Sequence, residues 1–325
     1  MTGPPRPRVF VTRRLPGNAL DRLAAEADVD LWPDDLPPPY DALVEHAKRA
    51  DGIICLLTDR IDAALIEAAP RLRVISTVAV GYDNIDIAAA AKRGIAIGNT
   101  PGVLTETTAD LAFALILAVS RRVVEADRLV RDGRWRTWDP NLLLGHDVHG
   151  ATLGIVGFGA IGQAVARRAQ GFGMRILYAS RRQHGDLLPA TQRATLDDLL
   201  KQSDVVSLHV PLTAETAHFI GARELRLMKP AAFLINTARG GVLDQAALVA
   251  ALSEGRIAGA GLDVAEVEPV PPGDPLLSAP NLVLLPHIGS ASHATRERMA
   301  SMAVDNCLAG LRAEPLPNPV PPRGI

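Results

Sequence analysis

The sequence predicts an α/β protein made of two parallel-sheet units in series. Short apolar runs alternate with helix-length segments up to about residue 97, and the alternation restarts, more regularly, at Thr152. A glycine-rich turn sits between the first strand and the first helix of the second series. Strand, helix, strand, helix is the pattern of a parallel sheet with helices on its faces.

In the first series the strand-like runs are RVFVT (8–12), GIICLL (52–57), VISTV (74–78) and residues 95–97. Helical segments at 20–27, 40–49, 62–69 and 85–92 separate them. An Ala/Leu-rich stretch, 105–131, is predicted as one long helix. An irregular segment, 132–150, follows and carries Trp135 and Trp138. The second series has strands at 152–157, 174–178, 205–209, 232–236, 259–264 and 282–285, and a final helix spans about 292–312. Proline clusters at 36–39, 268–275 and 316–322 mark loops or ends.

Composition bounds the function. The 325 residues are 48% hydrophobic and 22% charged, enough for two cores. A net charge of −2 gives no broad electrostatic grip on nucleic acid or an anionic membrane. Two cysteines, Cys55 and Cys307, exclude a disulfide framework and leave one bridge open. No metal-ligating set is expected. The start, MTGPPRPRVF, has no apolar core of a secretory signal. The greasiest run, 111–119, is closed by Ser120, Arg121 and Arg122 and is too short to span a bilayer. A cytoplasmic protein is expected. The chain has thirty arginines and four lysines.

The turn Gly157-Phe158-Gly159-Ala160-Ile161-Gly162 has the G-x-G-x-x-G spacing after a strand and before a helix. Gly157 makes the tight turn, and Gly159 lets backbone approach a pyrophosphate. Gly162 lets the helix pack on the strand, with the amides of Ala160 and Ile161 facing the phosphates. The other reading is a βα loop that binds nothing. An NAD site places Asp or Glu about 20 residues on, to hold the ribose 2′-OH. Here the next strand ends in Ser180-Arg181-Arg182. No acid repels a 2′-phosphate and two guanidiniums can grip it, so NADP(H) is preferred and NAD(H) is possible. An ordinary solvated arginine pair is the alternative.

Three later strand ends each carry one reactive side chain: Arg239 in NTARGG, Glu268 in DVAEVEP and His287 in LPHIGS. Singly, each has a dull explanation as a surface or buried polar residue. Together, at the carboxyl edge of a parallel sheet, they suit hydride-transfer chemistry with proton donation.

The chain resembles the D-isomer-specific 2-hydroxyacid dehydrogenases nearly end to end. Matching segments are VAVGYDNID (78–86), NTPGVLTETTADLAFALIL (99–117), GFGAIG (157–162), HVPLTAET (209–216), INTARGGVLD (235–244), LDVAEVEP (262–269) and PHIGSAS (286–292). Residues 99–117, followed by GRWRTW (133–138), look most like glyoxylate/hydroxypyruvate reductases within that family.

The resemblance implies two Rossmann-like, doubly wound parallel-sheet domains with the active site in a cleft between them. The substrate domain is then 1–99 plus 291–325, and the dinucleotide domain 100–290. It implies an Arg239–Glu268–His287 triad. His287 as imidazolium donates a proton to the carbonyl oxygen, Glu268 stabilises that cation, and Arg239 holds the carboxylate and polarises the carbonyl. Val80 and Gly81 match a backbone cradle for the substrate carboxylate, and Leu56 joins the substrate-facing set. Thr108, His209, Val210, Pro211, Thr216, Thr237, Ala238, Asp263 and Gly289 join the cofactor-facing set, although Asp263 could equally cap a loop. An aromatic residue often stands in the family where this chain has Ala265, so looser packing beside Glu268 is expected. The implied substrates are glyoxylate and hydroxypyruvate and the implied assembly is a homodimer, with Trp135 and Trp138 either at its interface or in the core. A dehydrogenase for another D-2-hydroxy acid, such as phosphoglycerate, and a dinucleotide-sensing corepressor-like protein stay open as alternatives.

Overall fold

The computed structural model describes residues 6–182, 188 and 191–321. Residues 1–5 and 322–325, the ends of the expected substrate domain, lie outside the described residues. Two compact units emerge: Met1–Leu104 with Ser290–Ile325, and Thr105–Gly289.

The first unit runs β1 (Arg8–Val11), α1 (Ala19–Glu26), β2 (Asp28–Leu31), α2 (Tyr40–Ala47), β3 (Gly52–Cys55), α3 (Ala63–Ala68), β4 (Val74–Thr77), α4 (Ile87–Lys92) and β5 (Ala96–Gly98). Its sheet is parallel, in the order β2-β1-β3-β4-β5. GIIC and VIST are buried along their whole length, as strands covered on both faces must be. The carboxylates of Asp62 and Asp86 accept the Leu65 and Ala89 amides and so cap α3 and α4. The C-terminal helix (His293–Leu311) lies against this sheet, where Ser76 Oγ donates to the Ala303 carbonyl at 2.8 Å. Cys55 and Cys307 are buried and unbridged. Burial raises both thiols, that of Cys307 to about 12, so neither is a nucleophile at neutral pH.

The second unit runs α5 (Thr105–Ser120), α6 (Val123–Arg131), β6 (Thr152–Val156), α7 (Ala160–Gly171), β7 (Arg175–Ala179), β8 (Thr191–Arg193), α8 (Leu196–Gln202), β9 (Val205–Leu208), α9 (Ala222–Leu227), β10 (Phe233–Asn236), α10 (Gln245–Ser253), β11 (Gly259–Leu262) and β12 (Leu282–Leu284); the C-terminal helix of the first unit is α11. All seven strands are parallel, in the order β12-β11-β10-β9-β6-β7-β8. Counted from β6 this is the Rossmann order 3-2-1-4-5-6 with one strand added at the far edge. The order reverses between β6 and β9, and ligands of such sheets bind beyond the strand ends there.

The single helix predicted for 105–131 is two helices. Arg122 adopts a left-handed conformation (φ 54°) between them. The break has a tertiary cause: the His146 amide donates to the Ser120 carbonyl at 2.9 Å, and Gly145 packs on the same group. That satisfies one of the terminal carbonyls of α5 and stops its continuation. α5 is core, with Leu115 and Ile116 sealed against the sheet, each burial contributing about 2–3 kcal/mol. α6 buries no residue. The edge strands β2 and β8 were not among the predicted strands, because DVDL and TQR have no apolar run. Among the described residues, no helix is long and apolar enough to cross a membrane.

Candidate active site

The glycine turn leaves β6 with Gly157 at φ 93°, where its amide donates to the Ala179 carbonyl at 2.9 Å. A Cβ there would lie 2.7 Å from the His209 carbonyl, so β9 closes the turn to anything but glycine. A Cβ on Gly162 would strike the Gly157 carbonyl. Gly159 differs: it is exposed and, among the described residues, nothing lies within 4 Å of its Cβ position and no side chain caps α7 behind it. Two glycines serve packing, and the third opens space at an uncapped helix N-terminus that includes Ala160 and Ile161.

The adjoining strand end supplies the wall. Val210 meets Gly157, and the ring of the half-buried His209 lies 2.8 Å from Ser207 Oγ. Burial pushes that imidazole down to about 4, so it is neutral at pH 7. The Thr216 hydroxyl has a local task, donating to the Pro211 carbonyl and accepting the Thr213 amide at 2.8 Å. It closes the 211–216 turn. Ser180 is half-buried at the end of β7, with Arg181 and Arg182 exposed beyond it.

After β10, the buried Asn236 staples the next turn, its side chain accepting the Ala238 amide at 3.0 Å and donating to the Arg239 carbonyl at 2.9 Å. Thr237 Oγ1 is buried and has no hydrogen-bond partner among the described residues. Arg239 is half-buried and donates to the Ala238 carbonyl at 2.8 Å. Gly240 then runs directly against the backbone of Ala265 and Glu266. Ala265 is buried under this glycine.

Glu268 is placed by its own loop. Its Oε1 accepts the Ala265 amide at 3.0 Å, and its Oε2 lies 2.7 Å from His287 Nδ1. Burial raises the carboxyl, but the bonds to His287 and the Ala265 amide, with the charges of His287 and Arg239, outweigh it and hold the group below the ordinary carboxylate range. His287 follows β12 with φ 56°, a left-handed conformation unusual for a side-chain-bearing residue. Asp263 holds it there: Oδ1 accepts the Ile288 amide and Oδ2 the Gly289 amide, each at 2.7 Å. Burial raises the Asp263 carboxyl, with the two amides and the His287 charge opposing. Thr108 on α5 is buried beneath Gly289.

The structure thus brings Glu268 and His287 into contact, sets Arg239 within electrostatic reach of Glu268, and gathers the glycine turn on the same sheet edge. Leu56, Val80 and Gly81 belong to the other unit. There they follow the paired strands β3 and β4, with the Leu56 amide donating to Asp59 at 2.7 Å and the Val80 carbonyl accepting from Asn99 at 2.8 Å. Sequence reasoning passed over Asn236 and Gly240; it offered Asp263 as a loop cap but had no access to its partners, the Ile288 and Gly289 amides, which lie 25 and 26 residues on. The open Gly159, the uncapped α7 and the orphan Thr237 hydroxyl suit a dinucleotide with a pyrophosphate to cradle.

The family model for the NAD binding domain of D-isomer specific 2-hydroxyacid dehydrogenases matches residues 113–289. The chain is 57% identical to a glyoxylate reductase of Korarchaeum cryptofilum over 96% of its length and 95% of the relative's. It is 51% identical to one from Thermococcus litoralis, with 96% of each chain covered. Among solved structures, an NADPH-dependent glyoxylate/hydroxypyruvate reductase from Sinorhizobium meliloti, in complex with NADP and malonate, superposes with a TM-score of 0.86 at 36% identity, covering 98% of this chain and 100% of that one. The chain belongs to the D-isomer-specific 2-hydroxyacid dehydrogenases, oxidoreductases that use a nicotinamide dinucleotide.

Proposed function

We propose that this protein is an NADPH-preferring reductase that converts glyoxylate to glycolate and hydroxypyruvate to D-glycerate. The bond of 2.7 Å between His287 Nδ1 and Glu268 Oε2 carries the reading, because it commits one ring nitrogen and leaves Nε2 to face substrate. In this reading Thr105–Gly289 is the dinucleotide domain and the other unit the substrate domain. A bound dihydronicotinamide supplies the hydride received at C2 of the 2-oxo acid. His287 Nε2 gives its proton to the carbonyl oxygen as that oxygen gains charge, and the product leaves as the 2-hydroxy acid. Glu268 stabilises the imidazolium before transfer, and the neutral ring then regains a proton from solvent. Arg239 binds the carboxylate and polarises the carbonyl. The names of the relatives support the substrates, and Ser180, Arg181 and Arg182 support the cofactor. Initial rates with glyoxylate and hydroxypyruvate, each with NADPH and NADH, test the reading. Oxidation of NADPH no faster with either acid than without would remove it.

Cofactor choice has its own test. Ser180→Asp places a carboxylate where a 2′-phosphate would lie and where a 2′-hydroxyl would donate. The ratio of kcat/KM for NADPH over NADH is expected to fall by about 10–100-fold, the scale of one lost favourable contact plus one gained repulsion. An unchanged ratio refutes the 2′-phosphate argument.

A homodimer completes the reading. Val123 and Val130 on α6, and Trp135, Trp138 and Leu144 after it, are all more than half exposed, so neither tryptophan packs in the core. A second copy is the partner expected to cover them. Sedimentation velocity is expected to give a dimer that Trp138→Glu with Leu144→Glu weakens; a monomeric parent protein would exclude it.

A further inference from the structure

The edge strand β8 brings a third guanidinium to the end of β7. The two strands pair in parallel with Arg193 beside Tyr178, and the Ala194 amide extends the ladder by donating to the Tyr178 carbonyl at 2.9 Å. From that register Arg193 Nη2 donates to the Ser180 carbonyl at 3.1 Å. Ser180 is the residue at which the chain leaves the sheet, in the place where an NAD site keeps its acid. A guanidinium carries five N–H donors in a fixed fork, so one bond to a carbonyl leaves most of them to face an anion.

Arg181 has a competing attraction. The exposed Glu215 carboxyl is held below its ordinary range, first by the Thr213 hydroxyl, with the charge of Arg181 adding to it. Arg193 differs in being fastened by sheet pairing and by its bond to Ser180, so it has less side-chain freedom to lose when it binds a ligand.

We propose that Arg193 is a specificity-determining residue that grips the ribose 2′-phosphate while bracing Ser180. The inference rests on the NADPH-preferring reading and deepens it: a phosphate monoester dianion meets three guanidiniums from two adjacent strands. A 2′-hydroxyl gains nothing from the third one. The competing account is that Arg193 only braces the Ser180 carbonyl.

Calorimetric titration of the full chain with 2′,5′-ADP and with 5′-AMP separates these accounts without turnover. Arg193→Ala removes charge and brace, whereas Arg193→Gln keeps an N–H for the Ser180 carbonyl and removes only the charge. Both are expected to weaken 2′,5′-ADP by about tenfold, the scale of one charge-assisted hydrogen bond, and to leave 5′-AMP within about twofold. If Arg193→Gln binds 2′,5′-ADP as the parent does, Arg193 is a brace and the proposal fails. Equal losses for both ligands also overturn it, as general damage to the strand end. A parent protein that does not distinguish the two ligands overturns the NADPH reading and this inference together. A parent that does, with variants that distinguish them equally well, overturns this inference alone.

Discussion

Replacing His287 with Asn is expected to lower kcat for glyoxylate reduction by about two to four orders of magnitude, the range a placed proton donor contributes. KM is expected to change by less than about tenfold, because the proposed mechanism assigns the substrate's carboxylate to Arg239, which the change leaves in place. Asparagine is the informative replacement. Position 287 has φ 56°, and Asn tolerates the left-handed region better than most residues, so the change removes the proton and spares the backbone. The Asp263 bonds to the Ile288 and Gly289 amides, each 2.7 Å, involve no His287 side-chain atom and hold the loop in the variant too. A kcat within threefold of the parent would exclude His287 as the donor. In the same assay Glu268→Gln keeps the ring and removes the carboxylate that holds its Nδ1 at 2.7 Å. The reduction rate is expected to fall by about tenfold or more as the ring loses its fixed orientation, and an unchanged kcat would take Glu268 out of that role. The pair also contributes to stability with a defined sign. The Glu268 carboxyl is depressed in the folded protein, so its contribution is present above about pH 4.3, the unfolded value, and is lost as pH falls through the depressed one.

What the sequence reveals and what it hides have separate physical causes. The central strands β3, β4, β9 and β10 are legible because strands covered on both faces must be apolar throughout. The edge strands β2 and β8 are not, since an edge is half solvated and accepts Asp, Gln and Arg. Arg193 was hidden by that same property. The break after α5 depends on His146 meeting Ser120, a contact 26 residues away in the chain, and helix propensity has no access to it. Within the site, Arg239, Glu268 and His287 stand out because each reactive side chain follows an apolar run. Asn236 and Asp263 spend their polar atoms on backbone amides and carbonyls. Nothing in their type separates such bracing from ligand binding until the partners are seen.

The two glycines after Arg239 make this distinction testable, because the sequence presents them as equals. A Cβ on Gly240 would fall on the Ala265 carbonyl and the Glu266 nitrogen, whereas a Cβ on Gly241 meets only the two Leu212 methyl groups, at 3.4 Å. Neither glycine has a positive φ, so the difference is steric and not conformational. Backbone cannot swing aside as a side-chain tip can. Gly240→Ala must therefore separate the loop carrying Arg239 from the loop carrying Glu268, or move both. The expected cost is about 2–4 kcal/mol, as for overpacking with backbone shifts, and a Tm lowered by about 5–15 °C. Activity should fall further than stability. A displacement of about 1 Å in one loop costs on the order of 10²-fold in rate through lost alignment, and here the displaced loops carry Arg239 and Glu268, to which the proposed mechanism gives the substrate's carboxylate and the bracing of His287. Gly241→Ala, by contrast, is expected to hold stability within about 0.5 kcal/mol and kcat/KM within a few-fold. Thermal melting and steady-state rates on the two variants decide the matter: similar losses in both, or a tolerant Gly240→Ala, would mean that the loops are not locked together through this contact. Loss confined to Gly240→Ala would make the backbone crossing of residues 240 and 265 the element that keeps arginine, glutamate and histidine in one geometry.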